Sequence, residues 1–137
     1  MVSSSSYQRF IQEGPGWRLG WDPRRPIYPA LLGGADWAME LTAEEFQDFR
    51  RLAEELVATL KAMADHLMAE EQLTCELESQ QVWLEVEGYP HAYGLRFILQ
   101  GGRRGEGGWP APAANQVIAA ISTLSTPPFP APQGSVA

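Results

Sequence analysis

Short segments in which apolar and polar residues alternate recur along the chain, and they fall into two groups. Before residue 42 they comprise residues 17–21, 28–32 and 37–41. After residue 72 they comprise residues 75–78, 82–87 and 95–100. Alternation with a period of two is typical of a β-strand that buries one face, so the pattern predicts three strands in each group. Pro29 lacks an amide hydrogen, which restricts its strand to the edge of a sheet.

A different periodicity separates the two groups of strands. Thr42 is suited to cap the start of a helix, and Glu45 lies three residues later, as in a capping box. Apolar residues then recur at spacings of three and four: Phe46, Phe49, Leu52, Leu56, Leu60, Met63 and Leu67. This spacing predicts an amphipathic helix over residues 42 to about 72. A shorter helix is predicted over residues 112 to about 124.

The two halves of the chain share one plan. Trp37 and Trp109 each follow a glycine-rich turn and precede a predicted helix, and they are 72 positions apart. The same offset superimposes Phe46, Phe49 and Leu52 on Ile118, Ile121 and Leu124. The repeated pattern predicts an α+β fold with antiparallel sheets, built from two strands-then-helix units with one long and one short helix.

Both ends of the chain differ in composition from the middle. Residues 1–13 are polar and rich in serine, and residues 125–137 are rich in proline. Such compositions are typical of disordered tails. We therefore expect a single α+β domain over residues 14–124 with a disordered tail on each side.

Several strings of residues resemble a small uncharacterised protein family of cyanobacteria: EGPGWRLGWD, LLGGADWAMELT, LMAEEQLTCELES, VWLEVEGYPHAYGLRFIL and GRRGEGGW. That family has no established activity. It is similar in fold to the Whirly and Pur-type domains that bind single-stranded nucleic acids, which have curved antiparallel sheets followed by helices. The resemblance therefore implies a Whirly-like curved sheet. Function transfers between folds only by analogy, and no binding motif of Whirly or Pur proteins occurs here.

Charge opposes binding to nucleic acid or to an anionic membrane. The 137 residues carry a net charge of −7, which repels phosphate backbones. If the apolar strand positions pack on the helices, the opposite sheet face carries Arg18, Glu40, Glu76, Glu78, Trp83, Glu85, Glu87, Arg96 and Ile98. This sheet face would then carry five carboxylates and two guanidinium groups, and it would repel phosphate. We expect Arg18 to pair with a carboxylate across strands, and Trp17 and Trp21 to lie in the core.

Two loops are exceptions to this acidic character. Arg24 and Arg25 lie in the string DPRRP, and Arg103 and Arg104 lie in GGRRGEGG. If the loops meet, four guanidinium groups gather beside the amides of a glycine-rich turn and form an anion- or partner-binding site. The alternative is that all four are solvated loop charges. Either arrangement is compatible with the sequence.

Catalytic and metal-binding signals are weak. His66 and Glu70 are four residues apart on the predicted helix, but two ligands are too few for a metal site. No local motif indicates a nucleophile with its base, and GGRRGEGG lacks the ending of a phosphate-binding loop. The acidic residues near the helix end are more typical of a solvated or partner-binding face. We expect no enzyme, no metal and no cofactor.

The location follows from the same observations. The single cysteine excludes an internal disulfide, no run of about 18 apolar residues predicts a transmembrane helix, and the N-terminus lacks an apolar signal segment. We expect a cytoplasmic, non-catalytic interaction protein that acts through a protein partner. The alternative is a single-stranded DNA- or RNA-binding protein that uses the arginine loops, and small-anion sensing is a third option.

The predicted long helix also suggests a homodimer. Over residues 42–72 it would span about 45 Å, whereas a domain of this size is roughly 37 Å across. Its apolar stripe nevertheless continues through Leu67 and Met68. Pairing with the same helix of a second copy would cover the overhang. Alternatively, the second helix and a curved sheet cover it within one chain.

Overall fold

Two four-stranded antiparallel sheets and two helices make up the computed structural model, which describes residues 9–66 and 70–123. The first sheet contains β1 (Phe10–Gly14), β2 (Trp17–Trp21), β3 (Ala30–Gly33) and β4 (Ala38–Leu41), followed by helix α1 (Ala43–Ala64). The second contains β5 (Leu73–Glu78), β6 (Val82–Tyr89), β7 (Ala92–Leu99) and β8 (Glu106–Trp109), followed by α2 (Ala113–Ser122). In each sheet the strands neighbour one another in chain order. The predicted α+β fold of two strands-then-helix units, one helix long and one short, is confirmed.

Two strands lie where the sequence did not predict them. β1 places residues 10–13 in the first sheet, so the predicted boundary of the N-terminal tail at residue 13 is wrong. The remainder of that tail (residues 1–8) and the proline-rich tail lie outside the described residues. β8 is rich in glycine, and a Cβ atom at Gly107 would approach Trp37 to 2.7 Å. Aromatic rings of the core therefore occupy the space that strand side chains would need.

Helix α1 begins as predicted and ends earlier. Thr42 accepts a hydrogen bond from the backbone of Glu45, whose carboxylate accepts one from the backbone of Thr42, so the capping box is confirmed. The helix ends at Ala64, and Leu73 already pairs with Gly88 in the second sheet. The prediction that the helix extends to residue 72 is therefore wrong.

The shorter helix removes the reason given for pairing through α1. Its 22 residues span roughly 33 Å at 1.5 Å per residue, which does not exceed the diameter of the domain. Leu60 is buried within the chain, and Met63 packs against the core. Leu67 and Met68 lie outside the described residues. A homodimer remains a prediction, but the internal packing of this stripe no longer supports it.

The two units share one hydrophobic core. α1 packs on β5 and β6 of the second sheet, and α2 packs on β1 and β2 of the first as well as on β7 and β8. Trp37 packs against this core with its ring centroid 5.4 Å from that of the buried Trp109, so the two tryptophans related by the 72-residue offset are in contact. The buried indole of Trp109 also donates a hydrogen bond of 2.8 Å to the carbonyl of Gly33. Trp21 is buried and Trp17 packs against the core, as predicted.

Candidate functional site

Each sheet packs one face on the core and leaves the other face outside. The sequence analysis placed nine strand residues on the outer face of a single sheet. In the structure these residues belong to two sheets, because an alternating pattern does not show which strands pair. Arg18 and Glu40 belong to the first sheet. The outer face of the second sheet, here called the acidic face, carries Glu76, Glu78, Glu85, Glu87 and Glu106 with Arg96, Trp83 and Ile98. Five carboxylates and one guanidinium group make this face more acidic than predicted.

Arg96, the single cationic side chain of the acidic face, already forms an ion pair. Arg96 lies opposite Glu85 in the strand register and pairs with its carboxylate at 3.3 Å. Its guanidinium group also lies 5.4 Å from the ring centroid of Trp83, and the Trp83 indole donates a hydrogen bond of 2.9 Å to Glu76. A groove of about 330 Å³ lies beside this cluster, where Gly94 and Gly108 carry no side chains. The face therefore keeps a strong negative charge.

Among the described residues, Arg18 lacks the cross-strand ion pair that the sequence predicted. Arg18 lies opposite Glu13 in the register of β1 and β2. Within residues 9–66 and 70–123, however, no carboxylate approaches its guanidinium group within 4.0 Å. Arg96 of the second sheet makes the kind of pair that the sequence suggested for Arg18.

The first arginine loop, between β2 and β3, is neutralised by nearby carboxylates. The guanidinium group of Arg24 lies 3.1 Å from the carboxylate of Asp22. This hydrogen bond is the main cause that lowers the pKa of Asp22, and it raises the pKa of Arg24. Arg25 pairs with Glu40 at 2.7 Å. The arginines of both pairs are exposed, so each pair contributes little to stability.

The second arginine loop, between β7 and β8, is attached to the start of helix α1. Nη1 of Arg103 donates a hydrogen bond of 2.7 Å to the Glu45 carboxylate, and Nη2 donates one of 2.8 Å to the carbonyl of Glu40. The guanidinium group lies 4.8 Å from the ring centroid of Tyr28. Glu45 is only 3% exposed, and a buried carboxylate needs a partner of opposite charge. Arg103 therefore has a structural role in joining the two units.

The two arginine loops do meet, around Glu40 of β4. Arg25 contacts the carboxylate of Glu40 and Arg103 contacts its backbone carbonyl. Arg24 is held on Asp22, and Arg104 is exposed in its loop. An anion entering here has to compete with carboxylates for three of the four predicted arginines. The proximity of Asp22 to Arg24 in sequence was a signal for this neutralisation that the sequence interpretation missed.

A second feature missed by sequence reasoning is an apolar area on the outer face of the first sheet. Ile11, Gly20 and Leu31 lie in one row across β1, β2 and β3. A Cβ atom at Gly20 would lie 3.4 Å from Leu31 and 3.7 Å from Ile11, so the two apolar side chains flank the bare glycine. Ile11 is 47% exposed, and Ile27 in the adjoining loop is 63% exposed. We call Ile11, Gly20 and Leu31 the apolar patch.

Charged side chains of both signs surround the apolar patch. Ile11, Gly20 and Leu31 line a cleft of about 250 Å³. The cleft is also lined by polar and charged residues: Arg9, Asp22, Arg24, Arg25, Tyr28 and Glu40. An apolar centre within a polar rim is the arrangement of many protein interfaces. Two of the four predicted site arginines, Arg24 and Arg25, thus share one surface with the apolar patch.

Metal-ligand and membrane features can be examined only for the described part of the chain. Over residues 9–66 and 70–123, no three His, Cys, Asp or Glu side chains are grouped so that they could hold a metal ion. His66 lies in the turn after α1, so it does not form the helical pair with Glu70 that the sequence suggested. Neither described helix combines the length and apolar character needed to cross a membrane.

Comparison with known proteins places the chain in a family. Residues 12–124 match the model of a domain of unknown function, DUF1818. A crystal structure of a protein with unknown function from the DUF155 family of Prochlorococcus sp. NATL2A is 31% identical, with a TM-score of 0.80 over 85% of this chain and 99% of that one. A search of curated proteins finds no match. The predicted resemblance to an uncharacterised cyanobacterial family is confirmed at this level, while the likeness to Whirly domains stays a prediction. The chain belongs to the DUF1818 family.

Proposed function

We propose that this protein is a non-catalytic interaction protein that binds a polypeptide through the outer face of its first sheet. One observation carries the proposal: Ile11 is 47% exposed beside Leu31 and Gly20 on the outer face of the sheet, and Ile27, in the loop that precedes β3, is 63% exposed. Within the described residues, Tyr89 is the remaining large apolar side chain with comparable exposure. Contiguous exposed apolar surface with a polar rim is typical of protein-binding sites.

Electrostatics favour a polypeptide over a nucleic acid at this surface. Binding of single strands needs unoccupied cations and exposed aromatic platforms. Arg24 and Arg25 already have carboxylate partners, and Arg103 is held by a buried one. Trp83 lies on the acidic face beneath Arg96, where phosphates are repelled. The alternative, binding of single-stranded DNA or RNA through the arginine loops, requires these ion pairs to break.

A capture experiment tests the proposal. The tagged protein is incubated with extract of its own cells, with and without nuclease, and bound polypeptides are identified by mass spectrometry. The Ile11→Glu variant should lose these polypeptides, because a carboxylate within the apolar patch must be desolvated on binding. Tyr89→Glu, at an exposed position of the second sheet, serves as the matched control and should keep them.

Two results would contradict the proposal. Capture that Ile11→Glu does not reduce would show that the apolar patch is not the binding surface. Capture that nuclease abolishes would favour the nucleic-acid alternative. In that case a labelled oligothymidine should bind in solution with micromolar affinity at about 150 mM salt, with a steep decrease in affinity as salt rises.

A further inference from the structure

We infer that the polypeptide bound by the apolar patch is a second copy of this chain, related by a two-fold axis that crosses the outer face of the first sheet. This inference rests on the function proposed above and adds the identity of the partner. It also moves the predicted homodimer contact from helix α1 to the first sheet.

The charges around the apolar patch are suited to contact with the same surface of a second copy. In a two-fold interface the same surface lies on both sides, so its charges must be balanced to avoid repulsion. The rim combines cations and anions in nearly equal number: Arg9, Arg18, Arg24 and Arg25 with Glu13, Asp22 and Glu40. The chain as a whole has a net charge of −7. This face is therefore nearly neutral on a strongly acidic molecule, so two copies can meet through it without net repulsion.

Neither the acidic face nor the outer side of α1 combines balanced charge with exposed apolar side chains. Pairing of the acidic face with its own copy would bring five carboxylates and one guanidinium group against an identical set, and like charges in an interface oppose association. On α1, the apolar residues are buried and the outer side carries ion pairs such as Arg51 with Glu55. The apolar patch is the described surface that combines exposed apolar side chains with balanced charge.

The size of the first sheet sets the expected strength of the dimer. Four strands at about 4.8 Å spacing and four or five residues in length give a face of roughly 300 Å², to which the loop between β2 and β3 adds. Stable interfaces bury about 800 Å² on each partner. We therefore expect a reversible dimer with a Kd of about 10–100 µM, at the weak end of specific association.

Sedimentation equilibrium of the purified full chain tests the inference. The chain has a mass of 15.1 kDa. Between about 5 and 500 µM, a range that brackets the expected Kd, the average mass should rise towards twice that value. Ile11→Glu should weaken the dimer at least about tenfold, as expected when a charge replaces an apolar side chain that an interface buries. Tyr89→Glu should leave it unchanged, and circular dichroism checks that both variants are folded.

Cross-linking gives a second measurement that does not depend on a destabilising charge. We place the two-fold axis beside Ile11, the most exposed side chain of the apolar patch. In a Cys75→Ser background, Ile11→Cys should then form a disulfide between two chains on mild oxidation, because a residue close to the axis meets its own copy. Tyr89→Cys in the same background is the control and should stay monomeric at the same protein concentration.

The outcomes separate this inference from the proposed function. A monomer at about 500 µM that still captures polypeptides through Ile11 overturns the second copy as partner and leaves the proposed function standing. A dimer that Ile11→Glu does not weaken overturns the inference, because another surface is then used. A monomer without Ile11-dependent capture overturns both proposals.

Discussion

Replacing Arg103 with alanine removes the cation that neutralises a buried carboxylate. Arg103 donates a hydrogen bond of 2.7 Å to Glu45 at the start of α1, while its own backbone belongs to the loop between β7 and β8. The side chain of Glu45 is 4% exposed and that of Arg103 is 35% exposed. The substitution therefore leaves a buried negative charge that retains the backbone amide of Thr42 as a hydrogen-bond donor. We therefore expect Arg103→Ala to lower the free energy of unfolding clearly, although Arg103 lies in a glycine-rich surface loop.

The magnitude follows from the burial of the two partners. Breaking a fully buried ion pair costs about 3–5 kcal/mol. Because the arginine is one-third exposed, solvent screening reduces this cost to about 1–3 kcal/mol. For a domain of this length, 1 kcal/mol corresponds to a change in Tm of about 4 °C. We therefore expect Arg103→Ala to lower Tm by about 4–12 °C.

Thermal and urea unfolding followed by circular dichroism measure this effect. Arg104→Ala is the matched control, because Arg104 is the exposed neighbour in the same loop, and it should change stability by less than about 0.5 kcal/mol. Glu45→Gln keeps a side chain that completes the capping box without its charge. In that background Arg103→Ala should cost clearly less. Equal stabilities of Arg103→Ala and Arg104→Ala would refute the proposed role of the buried pair.

Two further predictions concern the hairpin between β6 and β7. Burial raises the pKa of Tyr93 above its ordinary value near 10. The stability that the neutral phenol provides is fully present below that ordinary value and is lost as pH rises through the raised pKa. Tyr93→Phe should therefore reduce the loss of stability above about pH 10 in urea unfolding, and an unchanged alkaline profile would contradict this. Gly88 has a φ of +147°, and an added Cβ would lie 2.7 Å from the Tyr93 backbone, so Gly88→Ala should cost about 2–4 kcal/mol. Gly102→Ala, at φ +118° with nothing within 4 Å, is the control, and a comparable cost at both sites would contradict the clash.

The sequence predicted those parts of the fold in which the order of apolar and polar side chains follows the local structure. The alternation in β6 and β7 identified inward residues such as Leu84 and Phe97, which are fully buried. The strand β8 escaped detection because Gly107 and Gly108 carry no side chains and therefore no pattern. Pro29 was expected to force an edge strand, but β3 begins at Ala30 and lies inside its sheet.

The surfaces were harder to predict, because they depend on which strands pair. Period-two patterns show which residues of one strand share a face, but they do not assign strands to sheets. For this reason Arg18 was grouped with the carboxylates of a sheet to which it does not belong. The apolar patch was missed for a related reason: Ile11 was assigned to a tail, and only the pairing of β1 with β2 brings it beside Gly20. The carboxylate partner of Arg103 is 58 residues away in sequence, beyond the reach of any local pattern.

The shared aromatic core has a consequence for synthesis on the ribosome. Each sheet is a series of hairpins between neighbouring strands, so its contacts are local and form quickly. The ring of Trp109 and the carbonyl of Gly33 are 76 residues apart in sequence, however, and the surfaces that α1 covers on β5 and β6 are made after it. The nascent first half therefore emerges with its apolar side uncovered, and it stays so for several seconds at ordinary elongation rates of about 5–20 residues per second. Chaperone binding during this interval should concentrate on the first half of the chain.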